Sequence, residues 1–137
     1  MRGALIALLI ILAAAVLAGM ANLGGAPEGT VPKAGENITA QIVDRSGVTT
    51  DLKWFSMDGK IFLEGRRGDG KMSIPIHDLK EVTFGPVSGD DVPADLLLKS
   101  GERRQLKLLK GAVFHGDTGY GAYRISAGDV SRIVFRK

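Results

Sequence analysis

The chain has 137 residues, of which 45% are apolar and 24% charged, with a formal net charge of +3, nineteen glycines and no cysteine. Wholesale disorder needs low hydrophobicity and high net charge, so this composition excludes it. The missing cysteine excludes disulfide frameworks, thiolate zinc sites, c-type haem attachment and cysteine nucleophiles, and two histidines are too few for a His-rich metal cage.

The chain opens with Met1-Arg2, then runs from Ala4 to Ala18 without a polar side chain and leaves through Gly19-Met20-Ala21. A charged start, a short apolar stretch and a small-x-small exit form the export-signal pattern, so residues 1–21 read as a signal peptide. Left uncut, residues 4–23 would instead serve as a membrane anchor, since a span needs about 20 apolar residues. Residues 22–36 are rich in Gly and Pro, lack periodicity and read as a flexible linker. The expected address is therefore outside the cytosol, periplasmic or secreted, with anchoring by the N-terminus as the variant.

The remainder reads as one motif written twice. Gly65–Phe84 (GRRGDGKMSIPIHDLKEVTF) aligns without a gap to Gly116–Phe135 (GDTGYGAYRISAGDVSRIVF) at an offset of 51. Identical pairs are Gly65/Gly116, Gly68/Gly119, Gly70/Gly121, Ile74/Ile125, Asp78/Asp129 and Phe84/Phe135. Upstream, Ser46-Gly47 and Leu52 match Ser100-Gly101 and Leu106 at an offset of 54. These spacings divide the chain into a first repeat over 37–84, an acidic linker over 85–93 and a second repeat over 94–137.

Each copy alternates short apolar-polar runs with turn signals, which predicts strands. The first gives Ile38–Val43, Val48–Phe55, Ile61–Glu64, Lys71–Ile76 and Val82–Phe84. The second gives Asp95–Lys99, Gln105–Leu109, Ala112–His115, Ala122–Ser126 and Ser131–Phe135. Asp58-Gly59 is a dipeptide suited to a type I′ turn, whose central residues both need positive φ. Asp78 and Asp129 are expected to cap short helical turns. No segment after the signal holds a 3.6-residue period long enough for a helix. The expected fold is all-β: two tandem copies of a five-strand barrel or sandwich motif packed together, preceded by a hydrophobic signal helix. The alternation assigns Ile38, Ala40, Ile42, Leu52, Trp54, Ile61, Leu63, Met72, Ile74, Ile76, Val82 and Phe84 to the first core face. It assigns Leu96, Leu98, Leu106, Leu108, Phe114, Tyr123, Ile125, Val130, Ile133 and Phe135 to the second. Each copy is too small to be comfortable alone without disulfides, so the halves should bury one another.

Asp44-Arg-Ser-Gly47, Asp58-Gly59-Lys60 with Leu63, Asp69-Gly70-Lys71 and Ile74-Pro75-Ile76 resemble the small Src-homology-like β-barrel homology domain of an endocytic adaptor, related repeats of which occur in bacterial exported proteins. The resemblance covers residues 42–79. It implies a binding scaffold rather than an enzyme; the second copy lacks the Asp-Gly-Lys and Pro steps.

No catalytic, metal or cofactor site is expected. The glycines of Gly65-x-x-Gly-x-Gly70 precede a strand rather than the helix a phosphate loop needs. His77 and His115 fall at non-equivalent repeat positions, and most carboxylates sit beside Gly or Ser, where turns favour Asp. A hydrolase, the least expected alternative, would need a Ser-His-Asp spacing, which is absent, or two carboxylates that the fold brings together, which the sequence leaves open. Two binding sites are candidates instead. Trp54 and Phe55 are adjacent on a strand and face opposite sides, which, with Phe62, offers an aromatic surface for an envelope protein. Leu98–Lys137 carries nine basic against three acidic residues and Glu36–Leu97 seven against eleven, so Arg103, Arg104, Lys107, Lys110, Arg124, Arg132 and Arg136 offer a basic face for an anionic wall glycan or lipid headgroup. The charge difference between halves also allows head-to-tail homo-oligomers. Nucleic acid is not expected, because aromatics are not interleaved with the basic residues.

Overall fold

A computed structural model describes residues 30–32 and 35–136. The expected signal segment 1–21 and most of the linker 22–36 lie outside the described residues. The alternation of apolar and polar side chains is realised as ten strands: β1 (Thr39–Asp44), β2 (Thr49–Met57), β3 (Phe62–Arg67), β4 (Gly70–Pro75), β5 (Leu79–Phe84), β6 (Asp91–Leu98), β7 (Arg103–Leu109), β8 (Val113–Asp117), β9 (Ala122–Ser126) and β10 (Val130–Arg136). Single 3₁₀ turns at Ile76–Asp78 and Ala127–Asp129 precede β5 and β10. Neither turn has a side-chain cap, so Asp78 and Asp129 do not play the expected capping role. Strand β6 starts at Asp91, so the end of the acidic segment 85–93 is sheet rather than linker.

The strands form one curled antiparallel sheet in the order β4-β3-β7-β6-β5-β10-β1-β2-β8-β9. This order reads the same when each of β1–β5 is exchanged with the strand five places on. At its centre Val82 pairs with Ile133, two residues 51 apart. On either side β1 pairs with β10 and β6 with β5, each with one register shift, at Val43/Asp44 in β1 and at Leu79/Glu81 in β5. The ladder is not partitioned along the chain. Asp58 (φ 52°) and Gly59 (φ 81°) make the expected left-handed turn, closed by reciprocal bonds between Met57 and Lys60. Beyond that single pair the strands part: β2 continues onto β8, and β3 onto β7. Two contiguous five-strand units are therefore replaced by one sheet in which β2 and β7 each pair across the chain's midpoint.

The core runs the length of the sheet. Ile42, Leu52, Leu63, Leu79, Val82, Leu96, Leu108, Val130 and Ile133 are buried at alternating strand positions, as a sheet with one covered face requires. An aromatic cluster sits within it: Phe55 stacks on Phe114 at 5.5 Å, meets Phe135 edge-on at 5.2 Å, and Phe84 tilts against Phe114 at 6.0 Å. One expected core residue is replaced. Trp54 has φ 53° and lies where the β2–β8 register shifts between Lys53 and Ser56. A bulge of this kind inverts the side-chain phase, so Phe55 enters the core at 0% exposure while Trp54 stays half-buried. The bulge is fixed by Trp54 N–H donating to Asn37 Oδ1 (2.9 Å) and Phe55 N–H donating to Ile38 O (2.9 Å). Met72, also expected inside, is exposed on edge strand β4.

Candidate functional site

The β3–β4 hairpin ends in Arg66-Arg67-Gly68, with Gly68 at φ 60° making the reversal. Strand β7 carries Arg103-Arg104-Gln105 and Lys107 beside it, joined to β3 through the single pair Arg66–Lys107. Because β3 and β7 meet at one point and then diverge, a groove of about 1080 Å³ opens between the hairpin tip and β6–β7. Arg66, Arg67, Arg103, Arg104 and Lys107 line it, with Asp95 the one acid on its walls. Arg66 is ion-paired to Asp91 and Arg104 to Glu102, just outside the lining. Among the described residues, Arg67, Arg103 and Lys107 have no carboxylate partner, and all five cations are solvent-exposed. Surface cations left without partners in a concavity reinforce one another's field and attract counter-charge.

This groove unites three of the basic residues expected from the sequence, Arg103, Arg104 and Lys107, and adds Arg66 and Arg67, which sequence reasoning assigned to the acidic half. The remaining basic residues are dispersed. Lys110 lines a neighbouring groove, Arg124 lies on edge strand β9, Arg132 is 3.6 Å from Glu81 on β5, and Arg136 ends β10. The signal that marks Arg66-Arg67 is a pair of arginines directly before a hairpin glycine. Only the β3–β7 pairing brings them to the second basic cluster.

The aromatic surface is not formed as expected. Phe55 is at the centre of the core, so it has no face to offer a partner. Phe62 is half-buried, with the Lys60 ammonium 5.7 Å from its ring centroid, and Lys60 also reaches Glu64 at 3.2 Å.

The histidines stand apart. His77, on the first 3₁₀ turn, lies 3.6 Å from Asp78 and 3.9 Å from Glu36. His115, on β8, is opposite Ser56 on β2 and Arg124 on β9. Partial burial, reinforced by the Arg124 charge and opposed by Asp58, pushes its imidazole below the ordinary histidine range. Ser56 is fully buried and its hydroxyl makes no hydrogen bond, so the Ser56–His115 pair lacks the contact and the access a nucleophile needs. Among the described residues no three of His, Asp and Glu come together in a metal-holding arrangement, and no helix is long and apolar enough to cross a membrane.

A family model described as "Uncharacterised protein" matches residues 34–137. A protein of Aquifex aeolicus, described as an uncharacterized protein, is 27% identical over 111 residues, covering 81% of this chain and 83% of its own length.

Proposed function

The chain belongs to that family, and we propose that it is an exported, non-catalytic binding module of the cell envelope that takes an anionic ligand in the groove between the β3–β4 hairpin and β7. The observation that carries the reading is the convergence of five cations on one groove lined by a single acid. The export address rests on the apolar segment 4–18 and its small-residue exit, which lie outside the described residues.

We infer further that the chain is a fused pair of five-strand motifs with exchanged strands. Three reciprocal relations support this. The strand order is unchanged by the exchange. Gly65 lies against Leu106 just as Gly116 lies against Leu52. Lys99 N–H donates to Asp78 O, and Arg45 N–H to Asp129 O, each at 2.9 Å. Applying the 51- and 54-residue offsets to the groove gives Asp117, Thr118, Thr49, Thr50 and Lys53 where Arg66, Arg67, Arg103, Arg104 and Lys107 stand. Packing demands are alike at both places, so packing does not account for five cations at one of them against the single cation Lys53, beside Asp117, at the other. An anionic ligand does.

The test is binding of inorganic polyphosphate, a head-only polyanion, at low and at physiological salt. The expected result is saturable binding that weakens steeply as the Debye length contracts from about 30 Å at 0.01 M to about 8 Å at 0.15 M. Arg103→Glu with Arg104→Glu should abolish it, and Arg124→Glu with Arg136→Glu, outside the groove, should leave it. Salt-insensitive binding, or equal loss in both double variants, would overturn the proposal.

A further inference from the structure

A second groove of about 700 Å³ lies on the far side of the Arg66–Lys107 pair and shares both residues with the first. Its character differs. Its walls are predominantly apolar, with exposed Met72 and Leu109 contributing carbon surface and the core residues Met57 and Ala112 completing the lining. Leu109 is 61% exposed and Met72 37% exposed, a costly arrangement for two large apolar side chains on a chain that otherwise buries its strand interiors. The charges around it are mixed: Asp58, Glu64 and Asp90 face Lys71 and Lys110 in addition to the two shared cations. A second anion therefore gains less here than in the first groove, whereas an uncharged hydrocarbon gains the exposed methionine and leucine surface. Methionine suits such a ligand, because its unbranched thioether adapts to a flexible chain.

We propose that the two grooves form one continuous amphipathic site, and that its ligand is an acyl-chain anion with its phosphate or carboxylate headgroup among Arg66, Arg67, Arg103, Arg104 and Lys107 and its alkyl tail along Met57, Met72 and Leu109. Arg66 and Lys107 sit at the junction, where such a molecule changes from charge to hydrocarbon. The volume of the second groove falls within the range of about 300–1,000 Å³ that small-molecule sites occupy. A cationic and an apolar groove that share Arg66 and Lys107 suit this ligand class better than a wall glycan, which would leave the methionine and leucine surface unused. The inference rests on the proposed anion site and names what that site takes.

The experiment uses the chain without its residues 1–21 only if cleavage is confirmed, and otherwise the full chain, titrated calorimetrically with dodecyl phosphate below its micelle concentration. Inorganic phosphate serves as the head-only probe and dodecyl maltoside as the tail-only probe. Dodecyl phosphate should bind at least about tenfold more tightly than either. Leu109→Asp, a change at an exposed position, should remove that advantage while leaving polyphosphate binding intact, and circular dichroism should show the sheet unchanged. Met72→Glu, on a different strand, should act the same way and guards against a folding defect in the first variant. Dodecyl phosphate binding no tighter than phosphate, or binding unaffected by both variants, would overturn the acyl assignment while polyphosphate binding keeps the anion site. Loss of polyphosphate binding to the wild type would instead remove the anion site itself.

Discussion

Gly116 lies so close to Leu52 that a β-carbon on it would stand 2.7 Å from the Leu52 Cβ. The approach exists because β2 pairs with β8, so the leucine of one half packs on the backbone of the other. Gly116 does not have positive φ, so alanine fits its backbone and the cost of Gly116→Ala is purely one of space. Forcing a methyl into a filled core costs typically about 1–3 kcal/mol. Urea denaturation should show a loss of that size for Gly116→Ala. With Leu52→Ala added, the double variant should lose less than the two single losses combined, because the methyl then enters space the leucine has left. Strict additivity would mean that the two residues do not touch.

Trp54 and Phe55 exchange the roles that simple alternation assigns them. Phe55→Ala should cost about 3–5 kcal/mol, the usual price of removing a buried phenyl ring, and Trp54→Ala distinctly less. The left-handed φ at Trp54 adds a sharper test. Glycine accepts that conformation while other residues lose about 1–2 kcal/mol in it, so Trp54→Gly should be more stable than Trp54→Ala although both lose the same side chain. The opposite order in thermal or urea unfolding would mean that the bulge is absent.

Ser56 is fully buried and its hydroxyl has no partner. An unpaired buried polar group carries a desolvation cost of about 1–3 kcal/mol. Ser56→Ala removes the hydroxyl and little volume, so it should stabilise the chain, on the order of 1 kcal/mol, with an unchanged denaturant slope. A destabilised Ser56→Ala variant would show that the hydroxyl does useful bonding.

The His115 imidazole, held below its ordinary value of 6.5 by burial and by Arg124, makes stability depend on pH. The unfolded chain binds the proton more readily than the folded one. The contribution is therefore complete above about pH 6.5, is lost as pH falls from there through the lowered folded value, and then levels off. His115→Gln should flatten the stability curve in that window. Arg124→Gln should raise the titration midpoint of His115 followed by NMR, and an unmoved midpoint would mean that the arginine does not act on it. Asp44 titrates separately in more acid solution: its carboxylate accepts bonds from the Ser46 side chain (2.6 Å) and the Val48 N–H (3.0 Å), which lower its pKa. The acid loss at Asp44 should survive His115→Gln.

Local chemistry is written in the chain itself. Alternation places Ile42, Leu63, Val82 and Ile133 inside, and Asp58-Gly59 forces left-handed geometry wherever the rest of the chain goes. Gly65 lies against Leu106 and Gly116 against Leu52, residues related by the offsets of 51 and 54. What the tertiary structure decided is which strand meets which. A strand's pattern fixes which face it buries but leaves its ladder partner open, since every backbone edge presents the same donors and acceptors. Choosing β8 for β2, and β7 for β3, is a matter of total burial across the sheet, as is the bulge that turns Phe55 inward. Those choices bring Arg66 and Arg67 beside Arg103, Arg104 and Lys107 from 36 or more residues away, so the charged groove exists only in the folded chain.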